Sequence, residues 1–392
     1  MTGSGGEAPR VLHVSQPGDG GVARCVADFV AHQTARGWRC FVACRSWTPL
    51  ATAVRGAGAV QLRWAADRSP GPGAPAEIAA LARIVRDVDP DIVHLHSSKA
   101  GLAGRLAVRG RRPTVFQPHG WSFHAARGPQ ARAAVAWERL AARFADAIVC
   151  VSEGERRAAL AHGIRGDLRV VPNGVDLDRY EPIDGQSRPD VRRALGLPVD
   201  AKIVLLPGRL SEQKGQDVML GVWPAVVAAH PEARLVLLGE GPLRPTLERA
   251  ADRTVTLVGN RPDVARWLHA ADLVVLPSRW EGMSLAMLEA MATGRSVVAT
   301  AVDGADEALA GGGGAVVPAG DRRRLVDEIV VRLEDEAITR SEGLAGRRAA
   351  EARFDVRRTR DAIVEIYEDL LGSPDARIVR RNSRTSSAAS SG

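Results

Sequence analysis

Two cations on one short loop, and two carboxylates eight residues apart, are the side chains of this 392-residue sequence best suited to chemistry. The cations, Arg209 and Lys214, lie in GRLSEQKGQD at 208–217. A forked guanidinium donor and a compact ammonium at a strand's C-terminal end suit a diphosphate leaving group, although a solvated basic loop is the plainer reading. The carboxylates, Glu281 and Glu289, lie in EGMSLAMLEAMATG at 281–294. That spacing is just over two helical turns, so Glu289 projects from the face that carries Leu285. Ser284, Leu285 and Ala286 would offer free N–H groups to phosphate at the helix start. An acidic residue on a mostly apolar helix face is costly to bury alone, which favours a ligand over two solvated carboxylates.

Three further segments carry candidate residues. PGDGGVARCVADFV at 17–30 opens the backbone with Gly18, Gly20 and Gly21 where a helix begins, which suits a phosphate or simply a tight turn. It is not G-x-G-x-x-G with an acidic residue about 20 positions on, so dinucleotide binding fits poorly. FQPHGWSFH at 116–124 sets His119 and Gly120 at a strand end, with Trp121 and Phe123 as core or as an apolar lip. His124 takes no role. In HLHSSKAGLAGRLAVRG at 94–110, His94 and His96 alternate on a strand with no carboxylate or cysteine near enough in sequence to suggest a metal site. Ser97, Ser98 and Lys99 follow at the strand end. Arg105, Arg109, Arg111 and Arg112 form a basic patch, solvated by default and suited to an anionic membrane as the sharper idea. Asp87/Asp89 and Asp176/Asp178 match D-x-D only superficially, and no metal is expected.

Positioning these residues requires strands whose ends face one way. Short β-branched runs alternate with amphipathic segments throughout, the pattern of βαβ units and parallel sheets. Strands are expected at 10–15, 39–44, 59–63, 91–95, 114–117, 147–151 and 168–171. The pattern restarts at 202–206, 234–238, 254–258, 273–276 and 296–300, then a four-glycine turn at 311–314 leads into the apolar run 315–317. A helix is expected over 321–334, and 69–75 reads as a surface loop. The polar stretch 184–190 divides two doubly wound domains, 1–183 and 184–355, with a helix over 356–372 and a disordered tail over 373–392. A ligand would sit between the domains at the strand C-termini.

The formal charge of +7 and pI near 9.9 favour anionic partners. Only three of the 53 basic residues are lysines, and Lys99 and Lys214 both fall within these segments. Cys25, Cys40, Cys44 and Cys150 lack C-x-x-C spacing and read as core thiols. No apolar run reaches the ~18–20 residues a bilayer requires, and MTGSGGEAPR lacks a signal-peptide core. The expected location is the cytoplasm, with peripheral contact at the inner face of the membrane open.

Together these segments resemble the retaining family-4 glycosyltransferases of GT-B fold over about residues 10 to 370. VPNGVDLD at 171–178 matches the family's interdomain stretch, GRLSEQKG its phosphate loop and EGMSLAMLEAMATG its E-x7-E signature. The resemblance implies two Rossmann-like domains facing across a cleft, with the last helix crossing back to the first. It implies that Arg209 and Lys214 stabilise the departing diphosphate, Glu281 holds donor-sugar hydroxyls and Glu289 the ribose. His119 would contact the transferred sugar, and Gly20 and Gly21 would approach a phosphate. The backbone of Met283, Ser284 and Leu285 would hold phosphate, while Gly259, Asn260 and Arg261 frame the base. One departure is DGADEAL at 303–309, where Asp303, Gly304 and Glu307 match the family's D-x-G-G-x-x-E only approximately and Ala305 stands for the second glycine. HSSKAG followed by PHGWSF looks nearest to bacterial polysaccharide enzymes. The expected partners are a nucleotide-diphosphate sugar, UDP-linked by default, and a glycan, lipid-linked or small-molecule acceptor. No cofactor is implied. An epimerase or hydrolase and a non-catalytic nucleotide-sugar binder are the rivals; a nucleic-acid binder explains the charge but not the paired glutamates.

Overall fold

The computed structural model describes residues 7–69, 71–184 and 187–372. The described residues divide into two compact units, one within 7–151, 155–171 and 360–372, the other within 152–154 and 172–359. The tail called disordered, from Ser373, lies outside the described residues.

The first unit is built on seven parallel strands: β1 (Arg10–Ser15), β2 (Arg39–Cys44), β3 (Val60–Arg63), β4 (Ile92–His96), β5 (Thr114–Gln117), β6 (Ala147–Cys150) and β7 (Leu168–Val170). Their order in the sheet is 3-2-1-4-5-6-7. Such a doubly wound sheet reverses direction between β1 and β4, where ligand crevices form beyond the strand C-termini. One sheet face packs Leu12, Val14, Val93, Leu95 and Phe116 into a buried core. The helix Ser97–Val108 lies flush on that face because two of its residues lack side chains. A Cβ on Gly101 would meet the Phe116 ring at 2.3 Å, and one on Gly104 the Leu95 side chain at 2.2 Å. The expected loop at 69–75 ends early, since the helix Ala74–Val88 already contains Pro75 in its first turn, where a missing N–H costs nothing.

From Arg360 the last helix, Val356–Gly372, belongs to this unit. Arg360 pairs with Asp28 at 2.5 Å and Arg169 with Asp369 at 2.7 Å. The Tyr367 ring is fully buried and stacks near Trp38.

The second unit holds six parallel strands: β8 (Lys202–Pro207), β9 (Ala233–Leu238), β10 (Val255–Gly259), β11 (Leu273–Leu276), β12 (Ser296–Thr300) and β13 (Gly314–Val317), in the order 10-9-8-11-12-13. Val204, Leu206, Leu235, Leu237, Val275 and Val298 form its core with Trp223, Leu325 and Ile329 from covering helices. Here the switch falls between β8 and β11. The loops that follow these two strands therefore emerge side by side, and they are the loops that carry GRLSEQKG and EGMS.

Candidate functional site

In the second unit the β8 loop must turn sharply enough to bring Lys214 back beside β11. Gly215 supplies that turn with φ +70°, and a Cβ there would lie 2.0 Å from the Pro277 carbonyl oxygen. The Gln216 side chain staples the loop, donating to the Arg209 carbonyl at 3.0 Å and accepting from the Ser211 N–H at 3.3 Å. Lys214 Nζ consequently donates to Glu281 Oε1, an ion pair whose side chains are largely shielded from solvent. Ser278 Oγ donates to the same oxygen at 3.1 Å. Arg209 remains exposed at the lip of this loop.

The helix Leu285–Ala292 starts directly beyond, with Ser284 at its N-cap in extended conformation. Ser284 Oγ is buried and has no hydrogen-bond partner within the protein. Glu281, Ser284, Ser278 and Asp303 line one small pocket with Met287 and Ala305. The loop carbonyls before the helix are held, since Asn173 Nδ2 donates to the Met283 oxygen at 2.8 Å and Ser152 Oγ to that of Gly282 at 3.4 Å. Glu289 is 5% exposed and lies just over one turn into this helix, whereas Glu281 sits on the loop before it, so the two carboxylates are not two helical turns apart on one face as their spacing suggested. Gly259 ends β10 at the sheet edge, and Asn260 and Arg261 follow it. Gly259 has φ +75°, and Arg261 stands over the Trp267 ring at 5.9 Å.

In the first unit Gly20 and Gly21 are exposed at the start of the helix Gly20–Ala35. Gly20 takes φ +74° with open space where a Cβ would stand. His119 adopts φ +53°, a left-handed conformation that a non-glycine residue takes at a cost of about 1 kcal/mol or more. Glu155, fully buried, braces that turn. Its carboxylate accepts from the Gly120 N–H at 2.5 Å and from the Val151 N–H at 2.6 Å. Its backbone oxygen accepts from Trp121 Nε1 at 2.9 Å. Trp121 and Phe123 are buried, so both are core.

Sheet order adds a cluster that spacing alone could not show. β1 pairs with β4 so that His13 lies opposite His94, and alternation puts His96 on the same face. All three rings are fully buried. Burial, which disfavours the charged ring, holds His13 down to about 4 and His94 and His96 well below the ordinary value. The rings of His119 and His96 meet edge to edge, with His119 Nε2 3.3 Å from His96 Nδ1, and burial holds the His119 pKa at about 3.

Two expectations about cations need correction. Arg105 is not part of a surface patch. It is fully buried, pairs with Glu138 at 2.8 Å and lies 3.9 Å over the Phe116 ring, the room coming from Gly101 beside it. Lys99 likewise turns inward to Glu77 at 2.5 Å. Of the remaining patch, Arg111 donates back to the carbonyls of Ala107 and Val108, and Arg112 pairs with Asp89. Asp176 accepts from the N–H groups of Asp178 and Arg179 and so shapes a turn.

Two doubly wound parallel-sheet units, each with its motifs at the strand C-termini, define the GT-B class of glycosyltransferase. Among solved structures, HepE of Anabaena in complex with UDP and glucose matches with a TM-score of 0.79 at 22% identity, covering 92% of this chain and 100% of that one. The description Glycosyltransferase Family 4 matches residues 19–179, and Glycosyl transferases group 1 matches 201–335. The chain belongs to this glycosyltransferase family. It is 33% identical to the D-inositol 3-phosphate glycosyltransferase of Xylanimonas cellulosilytica, with 71% of each chain covered. It is 29% identical to the UDP-Gal:alpha-D-GlcNAc-diphosphoundecaprenol alpha-1,3-galactosyltransferase of Escherichia coli over 58% of this chain and 62% of that enzyme.

Proposed function

We propose that this glycosyltransferase moves a sugar, with retention of anomeric configuration and without a metal, from a nucleoside diphosphate to a lipid-linked glycan or polysaccharide precursor. The observation that carries the reading is the meeting of Lys214 and Glu281 beside the unpartnered Ser284 hydroxyl at a helix N-terminus. A cation, a hydrogen-bond donor and the positive helix end favour an anion, while the carboxylate suits sugar hydroxyls. Arg209, Lys214 and the N–H groups of Met283, Ser284 and Leu285 would stabilise charge on the diphosphate as the bond to the anomeric carbon breaks. Glu289 would hold the ribose, and Gly259–Arg261 the base. Gly20 and Gly21 would approach phosphate from the first unit, and His119 would meet the transferred sugar. The carboxylate beside the His119 turn, Glu155, is buried and engaged by the Gly120 and Val151 N–H groups, so the acceptor would attack on the leaving group's own face.

A UDP-sugar is the favoured donor, in keeping with the UDP-Gal named for the E. coli relative. That relative also favours a lipid-linked acceptor, whereas the inositol phosphate enzyme favours a small one as the second reading. No helix among the described residues is long and apolar enough to cross a membrane. Attachment at the inner face would rest on Arg109 and its neighbours.

The test is a panel of UDP-, GDP-, ADP- and TDP-sugars followed by thermal shift and nucleotide release, with Glu281→Ala as control and a chelator arm. A selective shift abolished by the mutation, and turnover undiminished by chelator, is expected. Donor binding without turnover across a broad acceptor set would favour the non-catalytic binder, and products from donor alone an epimerase or hydrolase. Activity lost to chelator and restored by a divalent ion would overturn metal independence.

A further inference from the structure

The histidines of the first unit form a continuous line. His13 Nε2 meets Gln33 Oε1 at 2.8 Å, His13 Nδ1 meets His96 Nε2 at 3.0 Å, and His96 Nδ1 meets His119 Nε2 at 3.3 Å. A neutral imidazole has one N–H and one bare nitrogen, so a line of such rings can run in only one direction at a time. The Gln33 end sets it. Cys40 Sγ also reaches Gln33 Oε1, at 3.5 Å, and burial pushes the Cys40 thiol up to about 12, so it is an S–H donor. The Gln33 atom that faces both Cys40 Sγ and His13 Nε2 is the amide oxygen, which can only accept, so both groups donate to it. His13 therefore donates from Nε2 and accepts at Nδ1, His96 donates from Nε2 and accepts at Nδ1, and His119 donates from Nε2.

We propose that Gln33, His13 and His96 are positioning residues that hold His119 in the Nε2-protonated tautomer, leaving its Nδ1 lone pair to accept a hydrogen bond from a hydroxyl of the bound sugar. The inference rests on the reading of His119 as a sugar contact for its consequence, but not for the tautomer itself. A fixed acceptor selects a hydroxyl donor and rejects a group that can only accept, because the mismatch would leave two lone pairs facing each other. The relay also holds the ring orientation. His119 sits on a strained turn, and the bond to His96 and the brace from Glu155 fix its ring and its backbone separately.

A cation is the rival use of these rings, since nitrogens of His13, His94 and His96 lie within 4.8 Å of one another. Two of the three, however, are bonded to each other, and no fourth ligand joins the group among the described residues, where a closed site takes four. His94 stands beside the line rather than in it, with Nδ1 on the Tyr367 hydroxyl at 2.6 Å and Gln117 as a further side-chain partner.

The tautomer is read directly from long-range 1H–15N correlation of the 15N-labelled full chain at pH 7.5, with His119 assigned by its loss in His119→Asn. The expected spectrum has His119 protonated on Nε2 and bare on Nδ1. Gln33→Leu, or His13→Phe should that variant not fold, is expected to give mixed tautomers at His119. With them kcat should fall about tenfold while the donor KM moves less than about twofold, the size of one lost hydrogen bond. A wild-type His119 protonated on Nδ1, a His119 signature unchanged when the line is cut, or a stoichiometric metal in the purified protein would each overturn the proposal. The spectrum needs no substrate, so absence of transfer activity would sink the function and leave the tautomer decided on its own.

Discussion

Glu155→Gln tests whether a buried carboxylate outside every motif holds the His119 turn. In the wild type its two oxygens take two backbone N–H groups, Gly120 at 2.5 Å and Val151 at 2.6 Å. Glutamine keeps one oxygen and replaces the other with an NH2, which cannot accept. Whichever way the amide is turned, one buried N–H faces another donor. The loss of one charge-assisted bond, worth about 1.5–3 kcal/mol, and the N–H left unsatisfied set the destabilisation at roughly 3 kcal/mol. For a unit of this size that lowers Tm by about 6–12 °C. Chemical and thermal denaturation read the first effect, and donor turnover the second, since Gly120 follows His119 directly. Glu334→Gln, at an exposed site, is the control and should stay within about 0.5 kcal/mol. A Glu155→Gln protein as stable as this control would refute the bracing argument.

Two other outcomes follow from the same charges. The folded His13 pKa of about 4 lies below the ordinary 6.5, so between these values the unfolded chain binds a proton that the folded one does not. Its contribution is whole above pH 6.5 and falls as pH drops towards 4, by about 1.4 kcal/mol per unit, with His94 and His96 acting in the same direction. Unfolding free energies from urea titrations at pH 7.5 and 5.0 should therefore differ by at least the roughly 2 kcal/mol due to His13 alone, and equal values would contradict it. Glu281→Gln removes the carboxylate competing with a diphosphate for Lys214, which should tighten bare UDP by about fivefold, near 1 kcal/mol, while weakening a UDP-sugar. Calorimetry showing both ligands shifted alike would count against the division of labour between Lys214 and Glu281.

The strands were legible because parallel sheets buried on both faces demand near-continuous β-branched runs, and such runs stand out between polar helices. β4 shows the limit. The expected strand 91–95 lies one residue short, for the observed Ile92–His96 includes His96. His94 and His96 were visible as an alternating pair, but their partner His13 is 81 residues before His94 and meets them only because the sheet runs 2-1-4. Glu155 was hidden inside VSEGERR, a run whose charges look solvated. Arg105 misled for the converse reason: it shares its stretch with three other arginines, and only the bare backbone of Gly101 lets it lie against Phe116.

The departure at Ala305 shows how much of a glycine signature is backbone demand. Gly304 meets that demand, with φ +79° and a would-be Cβ 2.4 Å from the Gly282 oxygen, so a side chain there would displace the loop before Ser284. Ala305 instead begins the helix Ala305–Leu309 and buries its methyl, a position that any small L-residue can adopt. The backbone that frames the site therefore does not need a second glycine. What changes is the floor of the pocket, because Ala305 lines it together with Glu281 and Ser284. The buried Ala305 methyl bounds the space beside Glu281. Ala305 thus bounds the pocket, while the close approach of Gly304 to the Gly282 oxygen holds the loop before Ser284.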